Sequence, residues 1–130
     1  MKSGVDVILD ASAILALIQN EPGADKVAGS LPRAAVSAVN FAEVITKLVQ
    51  KTKAPERVLR TLDLLQLRVL GWDQDAARHS AAYAYLAAEG LSLGDRACIT
   101  EAVRSNARIL TADRRWKETD PISARVDLIR

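Results

Sequence analysis

The sequence predicts an α/β sandwich of three layers, a central parallel sheet of about five strands flanked by helices, in one domain spanning residues 1–130. Two observations predict it. Short β-branched and apolar runs recur along the chain without polar alternation, the pattern of strands buried on both faces. Between them lie segments of helical period, long enough to carry the chain back across a sheet as parallel pairing requires.

Taken in order, Val5 to Leu9 reads as the first strand, ending at Asp10. Ser12 is placed to cap a helix from Ala13 to about Ile18. Glu21-Pro22-Gly23 breaks it, and Ala24 to Leu31 forms a second short helix. Ala35 to Ser37 is the second strand. Phe41, Val44, Ile45, Leu48 and Val49 then recur at the helical period, with Glu43, Lys47 and Gln50 on the other side. Pro55 suits the first position of the next helix, whose inner face is Val58, Leu59, Leu62 and Leu65. Arg68 to Trp72 is the third strand. Asp73 caps a long alanine-rich helix that Gly90 closes. A last helix runs from about Leu93 to Ser105, Arg108 to Ala112 is the fourth strand, and Arg125 to Ile129 the fifth.

Composition excludes several classes. With 49% hydrophobic and 26% charged residues the chain is an ordinary globular protein. No apolar run approaches the ~20 residues that span a bilayer. No secretory segment follows Met1-Lys2-Ser3-Gly4, since Asp6 and Asp10 interrupt the apolar run, so a cytoplasmic location is expected. The single cysteine, Cys98, forms neither an internal disulfide nor a zinc site and reads as core.

In parallel sheets ligands bind beyond the carboxyl ends of the strands. Asp10 ends the first strand, Asp113 follows the fourth, and Glu43 lies early in the helix after the second, so topology gathers these three acids at one edge. Asp95 opens a helix, and nothing local fixes which edge that helix start meets. Each acid also has a capping reading: Asn40 to Glu43 and Ser92 to Asp95 both resemble capping boxes, Asp10 and Asp113 fit as helix caps, and Glu43 with Lys47 is an ordinary surface pair. Capping does not explain why the acids collect at one edge. Concentrated carboxylates require protons or cations. With one histidine and one cysteine in the chain, their oxygens select Mg²⁺ or Mn²⁺ over zinc. Such a cluster, holding one or two ions, suits phosphodiester hydrolysis by metal-activated water. Counting those four acids out of the chain's 16 leaves the 18 bases in clear surplus, which suits a polyanionic substrate. The lone His79 disfavours a ribonuclease working by a histidine pair.

The stretches Val-Ile-Leu-Asp10-Ala-Ser12-Ala, Asn40-Phe-Ala-Glu43-Val, Leu-Ser-Leu-Gly-Asp95-Arg96-Ala and Leu-Thr111-Ala-Asp113-Arg-Arg-Trp116 together resemble a PIN domain. More narrowly, they resemble the VapC-type toxins of bacterial toxin–antitoxin pairs, over essentially the whole chain. The resemblance implies a PIN fold, Mg²⁺- or Mn²⁺-dependent cleavage of RNA, a homodimer, and an antitoxin protein that occupies the active-site groove. It assigns Asp10, Glu43, Asp95 and Asp113 to the acidic, metal-binding quartet, and Ser12 and Thr111 to hydroxyl positions that order it. Some relatives carry a further acid or amide three residues after the last aspartate, where this chain has Trp116.

Arg96, Arg114 and Arg115 adjoin these acids and are candidate phosphate-binding groups, with solvation or local pairing as the alternative. The basic stretch Lys47, Lys51, Lys53, Arg57 and Arg60 reads as a solvated face, with RNA binding as the alternative, and Trp72 and Trp116 as core or interface anchors, with base stacking as the alternative. Three other functions compete with this reading. A phosphotransferase with Asp10 as nucleophile expects an aspartate where Ser12 stands. A receiver-like module expects an acidic pair near the first strand and a late lysine, yet none follows Lys117. An inactive PIN-like module that only binds RNA or protein would not need the intact quartet.

Overall fold

A computed structural model of the protein describes residues 4–130; the stretch Met1 to Ser3 lies outside the described residues. Five short strands, β1 (Val7–Leu9), β2 (Ala34–Ser37), β3 (Arg68–Leu70), β4 (Arg108–Thr111) and β5 (Val126–Leu128), form one sheet. Their order is β3-β2-β1-β4-β5 and every pairing is parallel. Register explains the unbroken apolar runs. Ile8 lies opposite Ala35 and Ile109, and Ile109 opposite Val126. These four join Cys98, Ile99, Leu86 and Trp116 in one core. Their neighbours Leu9, Val36 and Leu110 point the other way, into a second core with Ile14, Val27, Val44 and Leu48. Both faces of the sheet are therefore covered, as the sequence predicts.

The helices follow the expected order with informative departures. α1 (Ala11–Ile18) begins directly after Asp10, and Ser12 does not cap it. The Ser12 hydroxyl is committed elsewhere, as described below. Gly23, at φ +96°, opens α2 (Ala24–Ser30). A Cβ at Gly23 would overlap the backbone carbonyl of Ile129, which cannot yield as a flexible side chain would. Gly23→Ala therefore combines left-handed strain with a backbone clash. A loss of roughly 2–4 kcal/mol is expected in urea unfolding, with the C-terminal strand released first.

α3 (Ala38–Thr52) starts earlier than its apolar period shows, because Ser37 caps it by accepting from the Val39 N–H at 3.1 Å. Asn40 thus lies inside the helix and forms no capping box with Glu43. α4 (Pro55–Leu65) opens on Pro55 and buries Val58 and Leu62, while Leu59 is 45% exposed rather than inward. α5 (Gln74–His79) is capped by Asp73, which accepts from the Ala76 N–H at 2.9 Å. The long helix expected up to Gly90 does not continue as α-helix: Ser80–Glu89 winds as a 3₁₀ helix. Burial supplies the reason. Ser80, Tyr83 and Leu86 turn inward while the alanines between them are exposed, a three-residue repeat that matches three residues per turn. Gly90, at φ +90°, ends the segment as expected. α6 (Leu93–Arg104) carries the predicted capping box and buries Cys98, Ile99 and Ala102. Among the described residues no helix is long and apolar enough to cross a membrane.

Candidate active site

The strand order reverses between β1 and β4, which opens a crevice at their carboxyl ends. Asp10 stands there. Its N–H extends the ladder to the Leu110 carbonyl at 3.0 Å, and its residue is only 5% exposed. Two hydroxyls hold its carboxylate. Ser12 Oγ–H donates to Oδ2 at 2.8 Å and Thr111 Oγ1–H at 2.9 Å. With those protons spent, the hydroxyl oxygens act as acceptors: Ser12 Oγ from the Ala112 N–H, and Thr111 Oγ1 from the Asp113 N–H, both at 3.0 Å. Every hydrogen of the clamp is thereby directed, and Asp113 is tied to Asp10 through Thr111. Burial pushes the Asp10 carboxyl up to about 6; the two hydroxyls oppose the shift and the negative charge of Asp95 adds to it.

Glu43 reaches the same edge from α3. The fully buried Asn40 donates from Nδ2 to Glu43 Oε1 at 3.1 Å and to the Gly94 carbonyl at 2.9 Å, bolting α3 to the start of α6. At Gly94 the two helices come so close that any Cβ would overlap the Glu43 carboxylate. This contact fixes what the local sequence leaves open, the edge that Asp95 meets. Asp95 itself is held by its capping box: the Ser92 N–H donates to Oδ2 at 2.9 Å, and the Asp95 N–H donates to Ser92 Oγ at 3.1 Å. Asp10, Asp95 and Glu43 all bear on Cys98, whose thiol is pushed up first by burial and then by these three charges. The cysteine is buried and inert, as expected.

Asp113 is placed differently. It caps the short 3₁₀ turn Arg114–Glu118, its Oδ1 accepting from the Arg115 N–H at 3.0 Å. The Arg115 guanidinium grips the same carboxylate, Nη2 donating to Oδ2 at 2.7 Å and Nε lying 3.1 Å from each oxygen. That grip holds the Asp113 carboxyl below the usual range. Of the other arginines, Arg96 donates from Nε to the carbonyls of Leu91 and Ser92, both at 3.3 Å, and Arg114 is exposed. His79 lies on the surface beside Asp75.

Each acid is thus turned to donors of its own neighbourhood. Among the described residues no three of His, Cys, Asp or Glu stand close enough, in these rotamers, to hold a metal ion. Two residues were not singled out from sequence as parts of the site: Asn40, read as a cap, and Gly94. The signal for Gly94 was its position one residue before an acid in the first turn of a helix, where glycine is otherwise a poor choice.

Residues 7–121 match the family profile described as PIN domain. The chain belongs to the PIN-domain family. Solved structures share its fold. A chain of the DNA-bound VapBC of Salmonella typhimurium is 23% identical with a TM-score of 0.75, the match covering 97% of this chain and 99% of that one. A chain of the toxin–antitoxin complex of Klebsiella pneumoniae is 18% identical, with a TM-score of 0.74 and coverage of 96% and 98%. A chain of VapBC-5 of Mycobacterium tuberculosis is 26% identical, with a TM-score of 0.61 and coverage of 97% and 98%. No curated protein sequence matches the chain. In this PIN domain Trp116, three residues beyond Asp113, is fully buried in the core and contributes no oxygen to the acidic edge. Trp72 is half-buried.

Proposed function

We propose that this PIN domain is an endoribonuclease that uses Mg²⁺ or Mn²⁺, and that it is the toxin of a toxin–antitoxin pair. The observation that carries the reading is the packing of Glu43 against Gly94, beside Asp95, and the place of Asp10 at the carboxyl end of β1, with no ion pair on any of the three acids among the described residues. Neighbouring carboxylates without basic partners are costly unless a cation offsets them. The donor set fits a hard ion: oxygens only, with Asp10 aligned by two hydroxyls and the Glu43 carboxylate seated against a glycine that has no side chain to displace it.

Asp10, Glu43, Asp95 and Asp113 would hold the ion, one or two being the open range. When bound, Mg²⁺ or Mn²⁺ makes water a nucleophile near neutral pH and offsets charge on the phosphate oxygens. The protein's own groups do the orienting. Ser12 and Thr111 keep Asp10 Oδ2 in one place, Asn40 aims Glu43, and Ser92 anchors Asp95 at a helix start. Arg96 and Arg114 remain candidates for contacts to phosphates beside the scissile bond. Attack by water, with no part for a ribose 2′-hydroxyl, leaves a 5′-phosphate and a 3′-hydroxyl.

The partner follows by analogy. Solved structures of this fold include complexes named as VapBC and as toxin–antitoxin pairs, which supports an antitoxin for this chain. A homodimer in the cytoplasm completes the reading. Expressing the chain alone is expected to arrest growth with RNA cleavage, and Asp10→Asn or Asp95→Asn is expected to abolish both. Equal toxicity from all three, or EDTA-insensitive cleavage by the purified protein, would falsify the metal-dependent reading.

A further inference from the structure

The acidic edge is divided in two by charge. On one side Asp10, Glu43 and Asp95 accept only from hydroxyls, an amide and backbone N–H groups. On the other side Asp113 has both carboxylate oxygens taken by a guanidinium and its own backbone: Oδ1 by the Arg115 N–H and Nε, Oδ2 by Nε and Nη2. The same guanidinium is close enough to Asp95 to be stabilised by its charge as well. We infer that Arg115 is a built-in cation occupying the Asp113 half of the site, so that the protein takes up one divalent ion, on the Asp10 side, and not two. The inference rests on the proposed metal-dependent reading.

Three features support it. A fork-like guanidinium–carboxylate pair is directional and charge-assisted, unlike a lysine point charge. The competitor is tethered two residues from the carboxylate it blocks, so its effective concentration there is of millimolar order or above and does not fall on dilution. The position three residues after Asp113 offers no side-chain oxygen, being the buried Trp116. An ion entering between Asp113 and Asp95 has to displace Arg115 and then share the space with its positive charge.

Arg115 is exposed by 63% of its side chain, and an ion pair with one partner that open to solvent contributes little to folding. Removing Arg115 should therefore open the second position and leave the fold intact. The measurement is Mn²⁺ binding to the full chain by calorimetry, with paramagnetic resonance of the bound ion as a second readout and no RNA present. The wild type is expected to bind one Mn²⁺ per chain, any second ion being weaker by about ten-fold or more. Arg115→Ala and Arg115→Gln are each expected to bind two, with the resonance broadened by ion–ion coupling. Arg115→Ala combined with Asp113→Asn should return to one. Two ions of comparable affinity in the wild type overturn the inference and leave the metal-dependent reading standing, as does a single ion in both Arg115 variants while their melting in EDTA matches the wild type. No Mn²⁺ binding by the wild type overturns the inference and that reading together.

Discussion

Replacing Asp10 with asparagine is expected to abolish cleavage and, at the same time, to make the metal-free protein more stable at neutral pH. The two effects share one cause. Burial raises the folded-state pKa of Asp10 from an ordinary 3.8 to about 6. The folded chain therefore holds the proton more tightly than the unfolded chain, and stability falls as pH rises from 3.8 through 6. Above that window the ionised carboxylate costs the fold roughly 3 kcal/mol, at ~1.36 kcal/mol per pH unit. Asparagine has nearly the same shape, and its oxygen still accepts from Ser12 and Thr111, yet it carries no charge. Melting in EDTA at pH 7.5 should show Asp10→Asn higher than the wild type by roughly 5–10 °C, and the gap should close at pH 4. Adding Mg²⁺ should raise the wild type and barely move the variant, because binding to the folded state alone stabilises it. A variant that melts below the wild type at both pH values would show that the site stores no such cost.

The second large effect is expected at Gly94, a residue that reacts with nothing. A Cβ there overlaps the Glu43 carboxylate. The obstructed group is the far end of a flexible side chain, so the fold can yield by swinging Glu43 away. Alanine also favours a helical turn over glycine by up to about 1 kcal/mol. Gly94→Ala should accordingly leave urea stability within about 1 kcal/mol of the wild type while moving one carboxylate out of the acidic edge. Displacement of about 1 Å at a reacting centre costs on the order of 10²-fold in rate. A fall of that size in cleavage, with weaker Mn²⁺ binding and an unchanged melting curve, is the expected signature. Full activity in Gly94→Ala would remove Glu43 from the site.

Much of this arrangement is legible in the chain, and the reasons are local. Asp10 directly follows a buried strand and Asp113 stands one residue beyond another, so a strand and its direction suffice to place them. Pro55, Asp73 and Ser92 mark helix starts by side-chain chemistry that acts within a few residues, whereas the Ser37 cap of α3 is hidden because the residue also ends a strand. What escaped depends on contacts between distant segments. Ser12 looks like a cap because the Ala112 N–H that its oxygen accepts from, and the Thr111 hydroxyl that shares Asp10 with it, lie about a hundred residues away. Asp95 has no fixed edge until Asn40 donates to the Gly94 carbonyl, 54 residues apart. The 3₁₀ winding of Ser80–Glu89 escaped for another reason: alanines dominate the segment and give no apolar period, leaving only Tyr83 and Leu86 to reveal the spacing. The Arg115 grip on Asp113 could be guessed as local pairing, though its geometry could not.

Under the proposed activity, the clamp on Asp10 has a consequence for when a newly made copy first becomes able to cleave RNA. Thr111 supplies half of that clamp from a strand that pairs with β1 only after the roughly hundred residues between them have been synthesised. A nascent chain lacking residues 108–113 has Asp10 but neither the Thr111 hydroxyl nor Asp113. Under the proposed activity, an unfinished copy without these residues is harmless to the RNA around it, and competence arrives only once they have been added and β4 has paired with β1. The parallel pairing that makes the fold slow to assemble also serves as its safety catch.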